Sequence, residues 1–130
     1  MFSAVTEGID VTVEPSYLPQ ESRPDEGHYV FAYRVVIRNH GDVGVQLLSR
    51  RWLITDGNGV QREVVGKGVV GQQPHIAPGG MFAYTSGCPL PTESGIMVGS
   101  YRMVSDLGRH FEVEIPAFSL DRPDRPRVVN

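Results

Sequence analysis

One segment carries the spacing of a phosphate-binding element. Gly66-Lys67-Gly68-Val69-Val70-Gly71 sets glycines at the first, third and sixth positions of a short run. Glycines so spaced let backbone amides approach an anion unobstructed, and Lys67, the only lysine in the chain, adds an ammonium beside them. A dinucleotide fingerprint also needs a helix that opens at the last glycine and turns its N-terminus toward the pyrophosphate. Gln72-Gln73-Pro74 follows instead, and Pro74 disfavours helical geometry at Gln73. No Gly-Lys-Ser/Thr completes a P-loop. Two readings stay open. In the first, Gly66, Lys67, Gly68 and Gly71 form an anion concavity for phosphate, pyrophosphate or a nucleotide, with magnesium bridging the charges. In the second, the glycines permit a tight turn or bulge at a sheet edge.

The other reactive residue types do not converge. His28, His40, His75 and His110 stand far apart, each beside a turn signal, and no pair has the spacing of two imidazoles on one metal. Cys88 follows Tyr84-Thr85-Ser86-Gly87 at the end of a strand pattern and reads as a small buried thiol, since a nucleophile would need an adjacent base. Arg50-Arg51 reads as an exposed recognition patch, arginine being common at interface hot spots, while Trp52 reads as core. Tyr101 has the position of a tyrosine that pins a sandwich corner by hydrogen bonding. No catalytic residue is assigned.

The elements that would position these residues are strands. Ile9, Val11 and Val13 alternate with Asp10, Thr12 and Glu14, the period of a strand with one wet face. A loop punctuated by Pro15, Pro19 and Pro24 leads to a second strand with Tyr29, Phe31, Tyr33, Val35 and Ile37 inward. Residues Val43 to Thr55 make a third, turned by Asp56-Gly57-Asn58-Gly59 into a return strand from Val60 to Val65. Leu48, Trp52 and Ile54 share their parity with Arg50, which predicts a bulge or strand end there. Further strands follow at Met81 to Ser86, Gly95 to Ser105 and Arg109 to Ile115, the last two joined at Ser105-Asp106-Leu107-Gly108. About seven short strands and almost no helix predict an all-β fold, an antiparallel two-sheet β-sandwich of the fibronectin type III or immunoglobulin-like kind. Residues 1–120 would form the domain, and 121–130, with Pro123, Pro126, Arg122, Arg125 and Arg127, a C-terminal tail.

Composition bounds the function. Twelve Lys and Arg stand against fifteen Asp and Glu, a formal net charge of −3 with no basic run, which argues against nucleic acid as a partner. No apolar stretch approaches the ~20 residues of a membrane-spanning helix, and nothing at Met1 to Glu7 resembles a secretory signal. A single cysteine fits a reducing compartment, so the cytoplasm is expected.

Several runs together resemble the ApaG family, in its stand-alone bacterial form. They are Gly66 to Pro74, Ile76-Ala77-Pro78-Gly79, Phe82 to Gly87, Met97 to Met103, and Phe111 to Phe118, with Tyr29 to Tyr33 and Arg38-Asn39 in the same order. The resemblance implies a fibronectin-like sandwich without established catalysis, linked to cobalt resistance and magnesium efflux. It also attaches a phosphate-binding suggestion to the glycine motif and, through eukaryotic relatives, a role in protein–protein recognition. A protein–protein interaction or regulatory module is the expected function, with an unidentified protein partner or a second copy paired at an open sheet edge. A pyrophosphate or nucleotide sensor built on the glycine run is the alternative.

Overall fold

The computed structural model describes residues 1–123. Nine strands follow one another: β1 (Phe2–Thr6), β2 (Ile9–Tyr17), β3 (Tyr29–Asn39), β4 (Val45–Asp56), β5 (Gln61–Lys67), β6 (His75–Ile76), β7 (Met81–Leu90), β8 (Ser94–Ser105) and β9 (His110–Asp121). The only helical pieces among the described residues are two 3₁₀ turns at Pro19–Glu21 and Pro24–Glu26, each opened by its proline. A four-stranded sheet in the order β1-β2-β3-β7 packs on a five-stranded one, β5-β4-β8-β9, with β6 beside β4. All pairings between strands are antiparallel.

The expected sandwich is present, with nine strands in place of about seven. The two additions are β1 and β6. The first is an edge strand whose Phe2, Ala4 and Thr6 are only half-buried, so its alternation is weak in sequence. The second is two residues long and follows from the partner it meets, not from its own pattern. Strand β9 runs on to Asp121, and the Arg122 amide donates to the Glu93 carbonyl at 2.9 Å. Residues 124–130, most of the expected tail, lie outside the described residues.

The core forms where the inward parities of the two sheets meet. Tyr33, Trp52 and Phe118 stack in tilted and edge-to-face geometries, with ring centroids 5.4 to 5.8 Å apart. Around them lie Val11, Val13, Phe31, Val35, Ile37, Met97 and Ile115, all essentially inaccessible. Trp52 and Cys88 are buried as read from sequence. Strand β4 bears on everything that follows. Its pairing with β8 shifts register between Leu47 and Ser49, so the inward side chains are Val45 and Leu47 before the bulge and Trp52 and Ile54 after it. Arg50 shares the second parity. The bulge therefore does not carry Arg50 outward; it turns it toward the opposite sheet.

Candidate functional site

Strand β5 leaves β4 at the bulge. The chain pairs with β4 from Gln61 to Lys67, departs through the glycine run, and returns as β6 opposite Gln46 and Val45. The Leu48 carbonyl, released by the bulge, accepts the Gly68 amide at 2.8 Å and the Gln73 side-chain amide at 2.9 Å. At the tip, Val69 and Gln72 exchange both backbone hydrogen bonds at 2.8 Å, with positive φ at Val70 (43°) and Gly71 (76°). This is the tight-turn geometry with two left-handed residues that favours glycine. Gly68 is also left-handed, at 63°.

Most of the amides that the sequence offers to an anion are engaged by this geometry. That of Gly68 donates to the Leu48 carbonyl of β4, those of Val69 and Gln72 donate to each other's carbonyls, and Gly66 is paired with Arg50 in the β4–β5 ladder. Lys67 is exposed, on the outward parity of Glu63 and Val65. Gly66 lies on the inner parity, and its missing side chain admits the Arg50 guanidinium: a Cβ there would stand 2.6 Å from Nη1. From that position Arg50 Nη1 donates to the carbonyls of Lys67 at 3.2 Å and Gly68 at 2.9 Å. The glycine run is thus bound to the sheet through its carbonyls by an arginine. Of the residues read together from sequence, the structure groups Gly66 and Gly68 with Arg50 and sends Lys67 elsewhere.

Arg50 and Arg51 also part company. Arg51 is exposed on the outer face, its guanidinium forming an ion pair with Glu63 at 2.7 Å. Arg50 sits beside Tyr101, its partner in the β4–β8 ladder. The Tyr101 hydroxyl bonds that of Tyr84, which reaches across from the four-stranded sheet. Tyr101 therefore ties the two sheets together through a second tyrosine. Tyr33, opposite Ser86 in the β3–β7 ladder, completes a layer of hydroxyls between the sheets. Burial raises the pKa of all three phenols above the ordinary 10.0, and the charge of Arg50 opposes the rise in each. Burial likewise raises Cys88, against a hydrogen bond from Arg62, whose Nη2 lies 3.7 Å from the sulfur and 3.0 Å from the Pro89 carbonyl.

Sequence reasoning missed this polar layer. Its legible signals are Tyr101, read as a hydrogen-bonding tyrosine, and the parity of Arg50 with Trp52 and Ile54, which places a charge on a core face. Two histidines do form polar contacts, His75 with Asp106 at 2.8 Å and His40 with Asp10 at 3.6 Å. No three His, Cys, Asp or Glu residues among those described gather as a metal site would require.

These features fall within a known family. The ApaG domain profile matches residues 19–105. The chain belongs to the ApaG family. It is 54% identical to the protein ApaG of Bradyrhizobium diazoefficiens and 57% identical to that of Brucella suis biovar 1, in both cases over the full length of both chains. Its fold is similar to the crystal structure of an ApaA protein from Bordetella pertussis, with 51% identity and a TM-score of 0.87 over 90% of this chain and 95% of that one. The Tyr84 to Gly87 run of β7 supplies Tyr84, whose hydroxyl bonds that of Tyr101. The glycine run is here the seat of an inward arginine.

Proposed function

We propose that this ApaG-family chain is a non-catalytic module that docks a protein partner on the outer face of its five-stranded sheet. The observation that carries this reading is an apolar patch where a solvated face is expected. Ile96 and Val98 of β8 are 51% and 43% exposed, and Val65 of β5 is 65% exposed. The ladder sets Leu53 directly opposite Val98 and Thr55 opposite Ile96, an apolar strip along β4 and β8, while on β5 Val65 stands opposite Arg51 and Glu63 opposite Leu53. The Arg51–Glu63 pair lies beside it. A partner of matching chemistry presents an apolar strip with a carboxylate in reach of Arg51 and a basic group in reach of Glu63.

The chemistry between the sheets supports a binding role over catalysis. The phenols facing Arg50 are held protonated by burial, and no histidine or carboxylate among the described residues hydrogen-bonds them as a base. No helix among the described residues is long and apolar enough to cross a membrane. We therefore read the family's link to cobalt resistance and magnesium efflux as regulation through the partner, in the cytoplasm.

The test is crosslinked affinity capture from the source cell with the wild-type chain and with Ile96→Ser/Val98→Ser. A specific protein retained by the wild type and lost with the double variant is expected. Recovery of the same protein by both, or of no specific protein by either, overturns the docking face.

A further inference from the structure

Three turns meet at one end of the sandwich: Glu7 and Gly8 between β1 and β2, residues 40–44 between β3 and β4, and residues 106–109 between β8 and β9. They surround a cleft of about 410 Å³ that is lined from both sheets. Its inner wall is apolar: Ile9 and Val45 are 2% and 4% exposed, and Val43 and Phe111 are half-buried. Leu107 stands at the rim, 82% exposed at a turn tip where polar residues are usual. A volume of this size holds a ring with a short chain, and apolar walls with a few placed polar groups are the ordinary make-up of a small-molecule site.

The polar groups of the cleft accept more than they donate. The side-chain amide nitrogen of buried Asn39 donates to the carbonyls of Val43 and Ile76 at 2.9 and 3.1 Å, which engages both its protons. Its Oδ1 accepts one bond, from the Gly41 amide at 2.9 Å, and keeps a lone pair. Arg109, the cation of the lining, is already engaged: its guanidinium bonds the Glu7 carboxylate and lies 5.4 Å from the centre of the Phe111 ring. Asp42 is exposed and enters none of the ion pairs among the described residues. Two carboxylates against one guanidinium leave the cleft with an excess negative charge.

We propose that this cleft binds a small protonated amine carried on an apolar ring. The ring packs against Ile9, Val45 and Phe111, with Leu107 covering it, and the ammonium donates to the carboxylates of Asp42 and Glu7. An anionic ligand would meet those two carboxylates and the Asn39 amide oxygen, with the one cation already bonded. A neutral ligand gains the ring contacts and leaves the Asp42 charge unanswered. This inference does not depend on the docking face of β4, β5 and β8.

The experiment is a titration of the uniformly ¹⁵N-labelled full chain with three probes of similar shape and different charge: 2-phenylethylamine, 2-phenylethanol and 3-phenylpropionate. Saturable shifts at the Gly41, Asp42, Leu107 and Phe111 amides are expected with the amine, weaker ones with the alcohol and none with the carboxylate. Asp42→Asn should weaken the amine about two- to fivefold and leave the alcohol unchanged. Adding Glu7→Gln frees the Arg109 guanidinium, so the double variant should prefer 3-phenylpropionate over the amine. Both positions are exposed, so the variants keep the dispersed spectrum of the folded chain. A flat response at tens of millimolar amine, shifts centred away from the three turns, or equal affinity for all three probes overturns the proposal. So does an amine affinity unchanged in Asp42→Asn, or a double variant that keeps the amine preference.

Discussion

The guanidinium of Arg50 occupies the space that a side chain at position 66 would fill: Nη1 lies 2.6 Å from where a Cβ on Gly66 would stand. The two residues face each other in the β4–β5 ladder, so the smallest side chain in the sheet is paired with one of the longest. The glycine is there for its neighbour across the ladder.

That relationship ranks the glycines of the motif. At Gly66 the obstructing group is the far end of a flexible side chain, so Gly66→Ala displaces Arg50 from the Lys67 and Gly68 carbonyls and should cost about 1–2 kcal/mol, the worth of hydrogen bonds from a charged donor. At Gly68 a Cβ would lie 2.2 Å from the Gln72 carbonyl oxygen, on backbone that is itself left-handed. Gly68→Ala must break the Val69–Gln72 turn and should cost more, about 2–4 kcal/mol. Urea unfolding of the two variants checks the order. Equal losses at both positions would refute this account of the run.

Much of this architecture is legible in the sequence, and the exceptions have a common cause. Alternation reveals β2, β3 and β9 because one face of each is buried and the other wet. It gives no warning of β6, which exists because Val45 and Gln46, before the bulge, offer a ladder edge that β5 does not cover. At Arg50 the parity was readable, but its meaning depends on Gly66 and Tyr101, residues distant in sequence that the ladders bring alongside. The glycine spacing suggested amides turned toward a ligand. Which amides remain for one is decided by the Leu48 carbonyl and the Val69–Gln72 turn, and spacing alone does not encode either.

Adjacent residues of β8 should respond in opposite ways. Met97 is 1% exposed and fills the core, whereas Val98 is 43% exposed on the outer face. Met97→Ala should cost about 2–5 kcal/mol through lost contacts and a residual cavity. Val98→Ser, alone or with Ile96→Ser, should change stability by no more than about 0.5 kcal/mol. Thermal or urea unfolding checks this, and a large loss in the outer-face variants would mean the patch supports the fold instead of a partner.

Cys88 should react as a buried thiol. It is 2% exposed, and burial holds its pKa above the ordinary 9.0, so thiolate is scarce and shielded at neutral pH. Labelling by a thiol-specific disulfide reagent should be slow in buffer and accelerate in step with urea unfolding. Full labelling of the native chain within the mixing time would contradict the packing of β7 against Arg62.

The Tyr84–Tyr101 pair sets an alkaline limit on stability. Burial is the main cause of the raised pKa in both; their hydrogen bond adds to the rise at Tyr101 and opposes it at Tyr84. In the unfolded chain the phenols ionise near 10. Above that pH the unfolded state has lost protons that the folded state keeps, so the unfolded state binds fewer and stability falls as pH rises. Their contribution is fully present below about pH 10 and is lost between there and the folded-state values. Urea midpoints governed by these groups should therefore hold steady from about pH 7 to 9 and drop beyond about 10. Tyr33 is raised by burial as well, so three of the five tyrosines should yield tyrosinate absorbance only as near-ultraviolet circular dichroism is lost. Tyrosinate absorbance from all five while the dichroism persists would show that the hydroxyl layer admits water, and with it that the two sheets are not closed over Tyr33, Tyr84 and Tyr101.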